Sequence, residues 1–347
     1  MRKILHIDCD CFFAAVEMRS NPSLVYVPIA IGGLAESRGV ISTCNYVARE
    51  LGVRSAMSTA LATKKCPRLI LLPTNMPLYK TVSNQVMEII QRYGVAFEQV
   101  SIDEAYLEVD PLDSAIEVGH RIRKAVESEV GITVSVGAAP NKFLAKVASD
   151  WNKPNGLFAI KPHQVLGFVD QLPVSKIPGI GPKTAERLAS KGIVICRDVH
   201  SYSLLELVDL FGRTGASLYQ RSRGVDNRSL VTQRERKTIS IEQTFAMDLY
   251  TENDLNNAVS NLWERFVKRI DKADVNWTGL APFIKIKFND FSQITLSDHH
   301  IPTSLATFHQ LLARAKSRHN QEFMQGIRLI GLGSRCLEVN KQQLTLF

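Results

Sequence analysis

The sequence predicts a multidomain protein that combines an α/β catalytic region with a separate α+β region. A length of 347 residues exceeds one ordinary hydrophobic core, so we expect two to four domains. Strand-like and helix-like segments alternate up to about residue 165, which is typical of helices packed around a central sheet. Short helices broken by Gly and Pro follow, and strand signals return from Thr238 onwards.

Hydrophobic periodicity predicts the individual elements in chain order. Apolar residues at helical spacing over 78–93 predict a helix that Gly94 ends. The other elements of the first region are strands at 1–9, 39–43, 100–109 and 132–139, and helices near 113–129 and 140–149. The charged stretch after Gln233 reads as an exposed linker. Beyond it we expect strands at 239–245, 283–288 and 327–332, with helices near 252–272 and 303–317.

Composition and charge narrow the classes of partner and compartment. The net charge is +8, and residues 161–237 carry most of the excess, with 13 Lys and Arg against 7 Asp and Glu. A polyanionic partner that contacts this middle segment is therefore expected. No apolar run approaches the ~20 residues of a membrane span, and we expect no signal peptide. The six cysteines include no C-x-x-C pair, which indicates free thiols in the cytoplasm and no zinc site at Cys9 and Cys11.

Acidic residues end two strand-like segments and carry most of the functional information. The first run is Asp-Cys-Asp-Cys-Phe-Phe from Asp8, and the second is Ser-Ile-Asp-Glu-Ala from Ser101. If the two strands are neighbours, Asp8, Asp103 and Glu104 converge on one point. Hard carboxylate ligands without a nearby His or Cys partner suit Mg²⁺, and a pair of such ions is the usual means of phosphoryl transfer. Strand alternation puts Asp8 and Asp10 on one face and leaves open which of them binds metal.

Three basic or hydroxyl side chains are candidates for holding phosphate. Tyr46 and Arg49 are separated by about one helical turn, and Lys153 lies in a turn after the predicted helix at 140–149. A guanidinium offers a fork of donors to phosphate oxygens, and Tyr adds one more. Solvated surface charge is the alternative explanation for each of them taken alone.

Two further motifs indicate nucleic acid and a protein partner. The run Ile-Pro-Gly-Ile-Gly-Pro-Lys from Ile177 predicts a helix-hairpin-helix, whose glycines and helix amides grip a nucleic-acid backbone without reading bases. A Gly/Pro turn that merely joins two helices is the alternative. The tail Gln-Leu-Thr-Leu-Phe from Gln343 predicts a docking peptide that enters a groove, with a frayed tail or edge strand as the alternative.

These motifs, in this order, resemble the Y-family translesion DNA polymerases over nearly the whole chain. The resemblance rests on the two acidic runs, on Gly-Val-Ile-Ser-Thr from Gly39, Asn-Tyr-Val-Ala-Arg from Asn45, Lys-Phe-Leu-Ala-Lys from Lys142, Asn-Lys-Pro-Asn-Gly from Asn152, and the Gly-rich hairpin. It implies a right-hand polymerase with a ferredoxin-like palm, small fingers, a helical thumb that contains the helix-hairpin-helix, and an α+β little finger. The implied domains are a palm at 1–10 and 75–165, fingers at 11–74, a thumb at 166–232, a linker at 233–240, a little finger at 241–341 and a tail at 342–347.

The resemblance also implies a role for each candidate residue. Asp8, Asp103 and Glu104 would be the catalytic metal ligands for two Mg²⁺ ions, assisted by the Cys9 carbonyl, whereas Asp10 would not bind metal. Phe13 would be the steric gate that excludes ribose. The nucleotide would be held by Phe12, Phe13, Ser42, Thr43, Tyr46, Arg49 and Lys153. DNA contacts would come from Gly179, Gly181, Lys183, Arg236 and Lys237. A sliding clamp would bind Gln343, Leu344, Leu346 and Phe347.

The function expected is therefore low-fidelity, template-directed DNA synthesis past damaged bases, without proofreading. Its partners would be primer-template DNA, deoxynucleoside triphosphates and the clamp, with the polymerase itself a monomer. Two alternatives remain at this point. A nucleotidyl cyclase also uses paired strand acids on a palm-like sheet, and a clamp-tethered DNA-binding protein would need no catalysis. The hairpin and the tail argue against the first, and the intact acids with Arg49 and Lys153 argue against the second.

Overall fold

The computed structural model describes residues 2–273 and 280–336, which fall into two compact units. The first unit runs to Gln233, apart from the short segments 33–40 and 58–60. The second comprises those two segments and the described residues from Arg234 onwards. No helix in the described ranges is long and apolar enough to cross a membrane.

The chain opens with a buried strand that turns directly into a helix. Strand β1 spans Ile4–Cys9, and helix α1 spans Phe12–Ser20. Cys11, between them, has a left-handed backbone with φ of 40°. This sharp turn puts Phe12 and Phe13 at the start of α1, beside the end of the strand that carries Asp8.

A small three-stranded sheet with its own core comes next. Its elements are β2 (Ile29–Gly32), β3 (Ile41–Cys44), α2 (Tyr46–Glu50), α3 (Thr59–Lys65) and β4 (Ile70–Leu72). The strand order is β3-β2-β4, with β3 antiparallel and β4 parallel to β2. The side chain of Asn45 accepts hydrogen bonds from the amides of Ala48 and Ile29 at 3.0 and 3.1 Å, so the start of α2 is tied to β2.

A five-stranded mixed sheet forms the centre of the first unit. The elements that complete it are α4 (Met76–Gln91), β5 (Ala96–Gln99), β6 (Glu104–Glu108), α5 (Ala115–Val130), β7 (Val134–Ala139), α6 (Lys142–Ser149) and β8 (Leu157–Ala159). The strand order is β5-β6-β1-β7-β8, and β1 is antiparallel to both of its neighbours. Because β1 is central, all six of its residues are buried.

Helices cover both faces of this sheet, and alternation along β1 assigns its side chains to them. Leu5 and Ile7 pack into the core formed with α1, α4 and α5. Ile4 packs on the opposite face in a cluster that contains Phe143 of α6. His6 and Asp8 alternate onto that second face, towards α6.

A helical segment extends the core beneath α6. Its helices are α7 (Val165–Asp170), α8 (Pro182–Ala189), α9 (Leu204–Phe211) and α10 (Arg213–Arg221). Leu188, Leu207 and Leu218 of these helices join the cluster of Phe143. Ser203 and Glu206 form a reciprocal capping box that fixes the start of α9.

The second unit is an antiparallel sheet covered by helices. Its elements are β9 (Thr238–Leu249), α11 (Glu252–Asp271), β10 (Leu280–Phe288), β11 (Gln293–Ser297), α12 (Leu305–Arg318), α13 (Asn320–Met324) and β12 (Ile327–Cys336). The strand order is β11-β10-β12-β9. Phe266 of α11 and Phe308 of α12 meet edge-to-face with ring centroids 5.7 Å apart, and both are fully buried.

The predicted mixture of α/β, helical and α+β regions is confirmed, but several predicted element boundaries are wrong. The acidic strand begins at Glu104 rather than at residue 100, because the preceding residues form a turn. Helix α4 begins at Met76, two residues early, because the Asn75 side chain accepts a hydrogen bond from the Leu78 amide. Strand β9 continues to Leu249 and already includes the last three residues of the predicted linker.

Candidate active site

Three acidic residues lie where the end of β1 stands beside the start of β6. Asp8 pairs with Glu104 in the register of the two strands, and the Cys9 amide donates to the Asp103 carbonyl at 2.9 Å. The two acidic strands are therefore neighbours, as the sequence argument required. Asp8, Asp103 and Glu104 reach one end of the central sheet.

Ser101 shapes the turn that presents Asp103. Its hydroxyl oxygen accepts hydrogen bonds from the amides of Asp103 and Glu104 at 3.2 and 3.0 Å. The same hydroxyl donates a hydrogen bond to the Asp103 carboxylate. No role for Ser101 was predicted from the sequence. The pattern that could have indicated this role is a Ser placed two residues before Asp103 and three before Glu104. Such spacing is typical of a turn that is capped by a hydroxyl.

Lys153 is the direct partner of Asp8. Its ammonium lies 2.6 Å from one Asp8 oxygen and 3.0 Å from Asp150. Burial raises the pKa of Asp8 to about 7, and the charge of Lys153 opposes that shift. Burial also lowers the pKa of Lys153, but Asp8 and Asp150 raise it further, so the ammonium keeps its proton. Lys153 therefore stays protonated beside Asp8 and balances the charge of that carboxylate when it is ionised.

Glu104 turns away from Asp8 towards helix α6. Its carboxylate accepts a hydrogen bond from Lys146 at 2.8 Å, and the nearer His6 ring nitrogen is 3.7 Å away. His6 and Lys146 together hold the pKa of Glu104 below its usual range. Lys146 is the stronger contact, because burial lowers the pKa of His6 and leaves its ring neutral at a distance too long for a hydrogen bond.

One cavity brings most of the predicted site residues together. Its volume is about 310 Å³, and its lining includes both Asp8 and Asp103. Every residue predicted to hold the nucleotide also lines it: Phe12, Phe13, Ser42, Thr43, Tyr46, Arg49 and Lys153. Glu104 does not line this cavity, because its side chain points to Lys146.

Arg49 and Tyr46 form one wall of the cavity from the first turns of α2. The guanidinium carbon of Arg49 lies 5.1 Å from the centre of the Tyr46 ring, and its Nε donates to the Cys44 carbonyl at 3.2 Å. Desolvation by burial raises the pKa of Tyr46 above its usual value. The wall therefore presents a cation and a protonated hydroxyl, both of which are donors that suit an anion.

Phe13 is backed by an aromatic ring that the sequence argument missed. Tyr79 of α4 is fully buried, and its hydroxyl donates to Glu17 at 2.6 Å. The sequence places Tyr79 in a helix rich in apolar residues, and nothing in that pattern predicts its partner. The contact with Phe13 results from the packing of α4 against α1.

The donors in the cavity fit a hard divalent cation. Asp8 and Asp103 supply carboxylate oxygens, whereas burial raises the pKa of the Cys9 thiol and keeps it protonated. Within residues 2–273 and 280–336, no three His, Cys, Asp or Glu side chains are grouped as a metal cluster. The reason is that Lys153, Ser101 and Lys146 each hold a different one of the three acids.

The residues predicted to contact DNA lie in two other segments. Gly179 has φ of 96°, and Gly181 precedes α8 with no atom within 4 Å of the place where a β-carbon would lie, so the hairpin backbone is open to a large ligand. Lys183 lies in the first turn of α8, and Arg236 and Lys237 precede β9. Gln343, Leu344, Leu346 and Phe347 lie outside the described residues.

Family models match three parts of the chain. A model described as the impB/mucB/samB family matches residues 7–150, and the C-terminal domain of the same family matches 236–346. A model of the DNA polymerase-iota thumb domain matches 175–226.

Curated and solved relatives cover nearly the whole chain. DNA polymerase IV of Shewanella oneidensis is 45% identical, over 96% of this chain and 93% of its own length. DNA polymerase IV of Ectopseudomonas mendocina is 44% identical, over 100% and 99%. Among solved structures, the Y-family DNA polymerase chimera of Dbh and Dpo4 superposes with a TM-score of 0.87 at 27% identity, covering 97% of this chain and 100% of the chimera. An insertion ternary complex of Dbh DNA polymerase has a TM-score of 0.66 at 27% identity, with the same coverage.

Proposed function

Because the chain belongs to the impB/mucB/samB family of Y-family translesion DNA polymerases and is a DNA-directed DNA polymerase, we propose that it extends a primer at the cavity lined by Asp8 and Asp103. The substrates would be primer-template DNA and deoxynucleoside triphosphates, and the reaction would join the primer 3′-hydroxyl to the α-phosphate and release pyrophosphate. The right-hand fold with its palm, fingers, thumb and little finger is that of the family.

One observation carries this proposal. Asp8 at the end of β1 and Asp103 in the turn before β6 line a single cavity. Phe13, Tyr46, Arg49 and Lys153 line the same cavity. Carboxylates on one side and phosphate-binding cations on the other are what a triphosphate-using phosphoryl transferase requires.

Asp8 and Asp103 would hold divalent cations through their carboxylate oxygens, with the Cys9 carbonyl assisting. Two Mg²⁺ ions, when bound, would lower the pKa of the primer hydroxyl and neutralise charge on the triphosphate. Glu104 would complete the set through the carboxylate oxygen that Lys146 does not contact, while Lys146 keeps its hydrogen bond to the other oxygen. Lys153 already neutralises Asp8 and would donate to a phosphate oxygen once cations take over that carboxylate.

The cavity wall would hold and select the nucleotide. Arg49 offers a fork of donors to the triphosphate, and the Tyr46 hydroxyl adds another. The Phe13 ring would lie against the sugar at C2′, where a ribose hydroxyl clashes and a deoxyribose fits. Ser42 and Thr43 are small, so the nascent base pair would have room, and damaged templates would be tolerated at the cost of fidelity. No proofreading activity is proposed.

DNA would be gripped outside the cavity. The open backbone at Gly181, beside Gly179 and Lys183, fits a phosphate contact in the thumb, and Arg236 and Lys237 add positive charge before β9. We also propose that the tail from Gln343 to Phe347 binds a sliding clamp, and that the polymerase is a cytoplasmic monomer. The domain boundaries drawn from the sequence belong to the same proposal.

The two alternative functions do not fit the family. The relatives named above are DNA polymerases, and this chain matches them over nearly their whole length. A nucleotidyl cyclase or a non-catalytic DNA-binding protein would be expected to resemble proteins of a different class.

Primer extension by an Asp103→Ala variant tests the proposal. The wild-type chain should extend a primer on a templated substrate with Mg²⁺ and dNTPs, and Asp103→Ala should lose extension by at least about a hundredfold. Asp209→Ala, which removes an exposed carboxylate of α9, is the matched control and should keep wild-type activity. Normal extension by Asp103→Ala would contradict the metal assignment.

A further inference from the structure

We propose that Asp10 is a positioning residue of the nucleotide site, which fixes both Tyr46 and the turn that carries Lys153. The inference rests on the proposed function, because it assigns Tyr46 and Lys153 to the triphosphate. Asp10 does not line the cavity that contains Asp8 and Asp103, and nothing in its sequence position separates it from Asp8.

Both oxygens of the Asp10 carboxylate are fully engaged. The side chain is buried, with only 1% of the residue exposed. One oxygen accepts from the hydroxyls of Ser135 and Tyr46 at 2.8 and 3.3 Å. The other accepts from the Thr133 hydroxyl and the Asn155 amide, both at 2.8 Å. A carboxylate has about four acceptor positions, so these contacts leave none for a cation.

The four donors come from three parts of the fold. Ser135 belongs to β7 and Thr133 directly precedes that strand, Tyr46 begins α2, and Asn155 lies in the turn between α6 and β8. Ser135 also accepts a hydrogen bond from the Gly156 amide at 3.3 Å, which adds a second link to that turn. Asp10 therefore ties the nucleotide wall and the Lys153 turn to the central sheet.

The Lys153 turn is held from two sides. On the inner side the Asn155 amide donates to Asp10, and on the outer side Arg123 of α5 donates to the Asn155 side-chain oxygen at 2.9 Å and to its carbonyl. Asn155 has φ of 48°, a conformation that these contacts stabilise. Lys153 lies two residues earlier, and its ammonium reaches Asp8 from this anchored backbone.

The contact with Tyr46 is the weakest of the four, and this suits its role. A Tyr hydroxyl carries one proton, so it cannot donate to Asp10 and to a phosphate oxygen at the same time. The distance of 3.3 Å is long for an O–H···O bond. Asp10 therefore holds the ring in place before nucleotide binds, and the Tyr46 hydroxyl then keeps its proton and donates its hydrogen bond to a triphosphate oxygen instead.

Steady-state primer extension by Asp10→Ala and Asp10→Asn tests this role. Asp10→Ala should raise the KM for dNTP about tenfold or more and leave the Kd for primer-template DNA within about twofold, because only the triphosphate contacts are misplaced. In Asp10→Asn the amide oxygen can accept from Thr133 and Asn155, and the amide nitrogen can donate to the Tyr46 and Ser135 hydroxyl oxygens. This variant should therefore recover most of the loss.

Two controls separate positioning from stability. Glu98→Gln alters another buried carboxylate of the same sheet, which accepts from Lys142 and from the Val231 amide, and should lower stability without changing the KM. In a Lys153→Ala background, the further addition of Asp10→Ala should raise the KM much less than it does alone. If Asp10→Ala does not fold, Asp10→Ser, which keeps a polar group too short to reach Asn155, replaces it.

A KM for dNTP within twofold of wild type in folded Asp10→Ala, or full additivity with Lys153→Ala, would overturn the proposal. A wild-type chain that extends no primer would instead defeat the proposed function. In that event dATP binding by wild type and Asp10→Ala decides the role of Asp10, because equal affinities would overturn it and a tenfold weaker variant would support it.

Discussion

The ring of Phe13 stacks on the ring of Tyr79, with centroids 4.3 Å apart and planes 14° from parallel. Phe13 lines the cavity, whereas Tyr79 is fully buried behind it on α4. The position of the proposed steric gate is therefore set by a residue that does not line the cavity.

Replacement of Tyr79 should weaken sugar discrimination. Tyr79→Leu removes the stacking surface, so Phe13 gains freedom and ribonucleotide incorporation relative to deoxynucleotide should rise about tenfold. Phe13→Val should raise it further, because that variant removes the ring itself. Tyr79→Phe keeps the stack and loses only the hydrogen bond to Glu17, so it should discriminate like wild type. Unchanged ratios in both Phe13→Val and Tyr79→Leu would count against the gate.

Removal of Lys146 should impair the chemical step. Lys146→Met leaves the half-buried Glu104 carboxylate without its ammonium partner, which raises the pKa of Glu104 and frees its orientation. We expect the single-turnover rate of nucleotide addition to fall about tenfold, equivalent to about 1.4 kcal/mol. Lys124→Met, an exposed substitution on α5, serves as the control. Equal rates in the two variants would show that Lys146 does not support Glu104.

Gly137 should tolerate no side chain. A methyl group there would approach the backbone oxygen of Ala145 and the nitrogen of Ser149 to 2.1 and 2.3 Å, so α6 would have to move off β7. Gly137→Ala should therefore lower the free energy of unfolding by about 2 kcal/mol or more in urea titrations. Gly167→Ala in α7 meets nothing within 4 Å and should be neutral or raise stability by up to about 1 kcal/mol. Equal stability of the two variants would contradict the close packing of α6 on β7 at Gly137.

Asp226 should make the stability of the first unit sensitive to acid. Burial raises the pKa of Asp226. The Arg228 guanidinium, with a nitrogen 2.7 Å from an Asp226 oxygen, and the amides of Arg228 and Phe143 lower that pKa by more than burial raises it, so it lies below its usual value. A carboxylate whose pKa is lower in the folded than in the unfolded chain stabilises the fold at pH above its unfolded-state pKa, which is about 4. That stabilisation is lost as the pH falls through the folded-state pKa.

Urea midpoints of wild type and Asp226→Asn between pH 3 and pH 7 measure this contribution. The variant should be less stable at pH 7, and the difference should shrink below about pH 4 as wild type loses its ion pair. Asp209→Asn, at an exposed position, should follow wild type throughout. A gap between Asp226→Asn and wild type that stays constant with pH would contradict the assignment.

Local signals allowed the central acids to be predicted from the chain. Asp8 lies at the end of the apolar run that forms β1, and Asp103 directly precedes the run that forms β6, so both acids could be placed at strand ends. The longer helices and strands were predictable from their periodicity, whereas the short strands β5, β8 and β11 were not predicted. The start of β6 was not, because Ser101 forms a turn through its hydroxyl, a contact that competes with strand pairing.

Contacts between distant elements could not be predicted. Lys146 of helix α6 contacts Glu104 of strand β6, Tyr79 contacts Phe13 across 66 positions of sequence, and Asn155 contacts Asp10 across 145. Alternation could not separate Asp8 from Asp10, because both occupy the same parity along the strand. What separates them is their partners: Lys153 for Asp8, and four uncharged donors for Asp10.

The central claim is that Asp8 and Asp103 hold the cations of polymerisation. Its most direct test counts bound Mn²⁺, as a paramagnetic substitute for Mg²⁺, by electron paramagnetic resonance in the complex with primer-template DNA and a non-hydrolysable dNTP. We expect two bound ions in the wild-type chain and in Asp209→Ala, and the loss of at least one ion in Asp103→Ala. Wild-type stoichiometry and affinity in Asp103→Ala would contradict it.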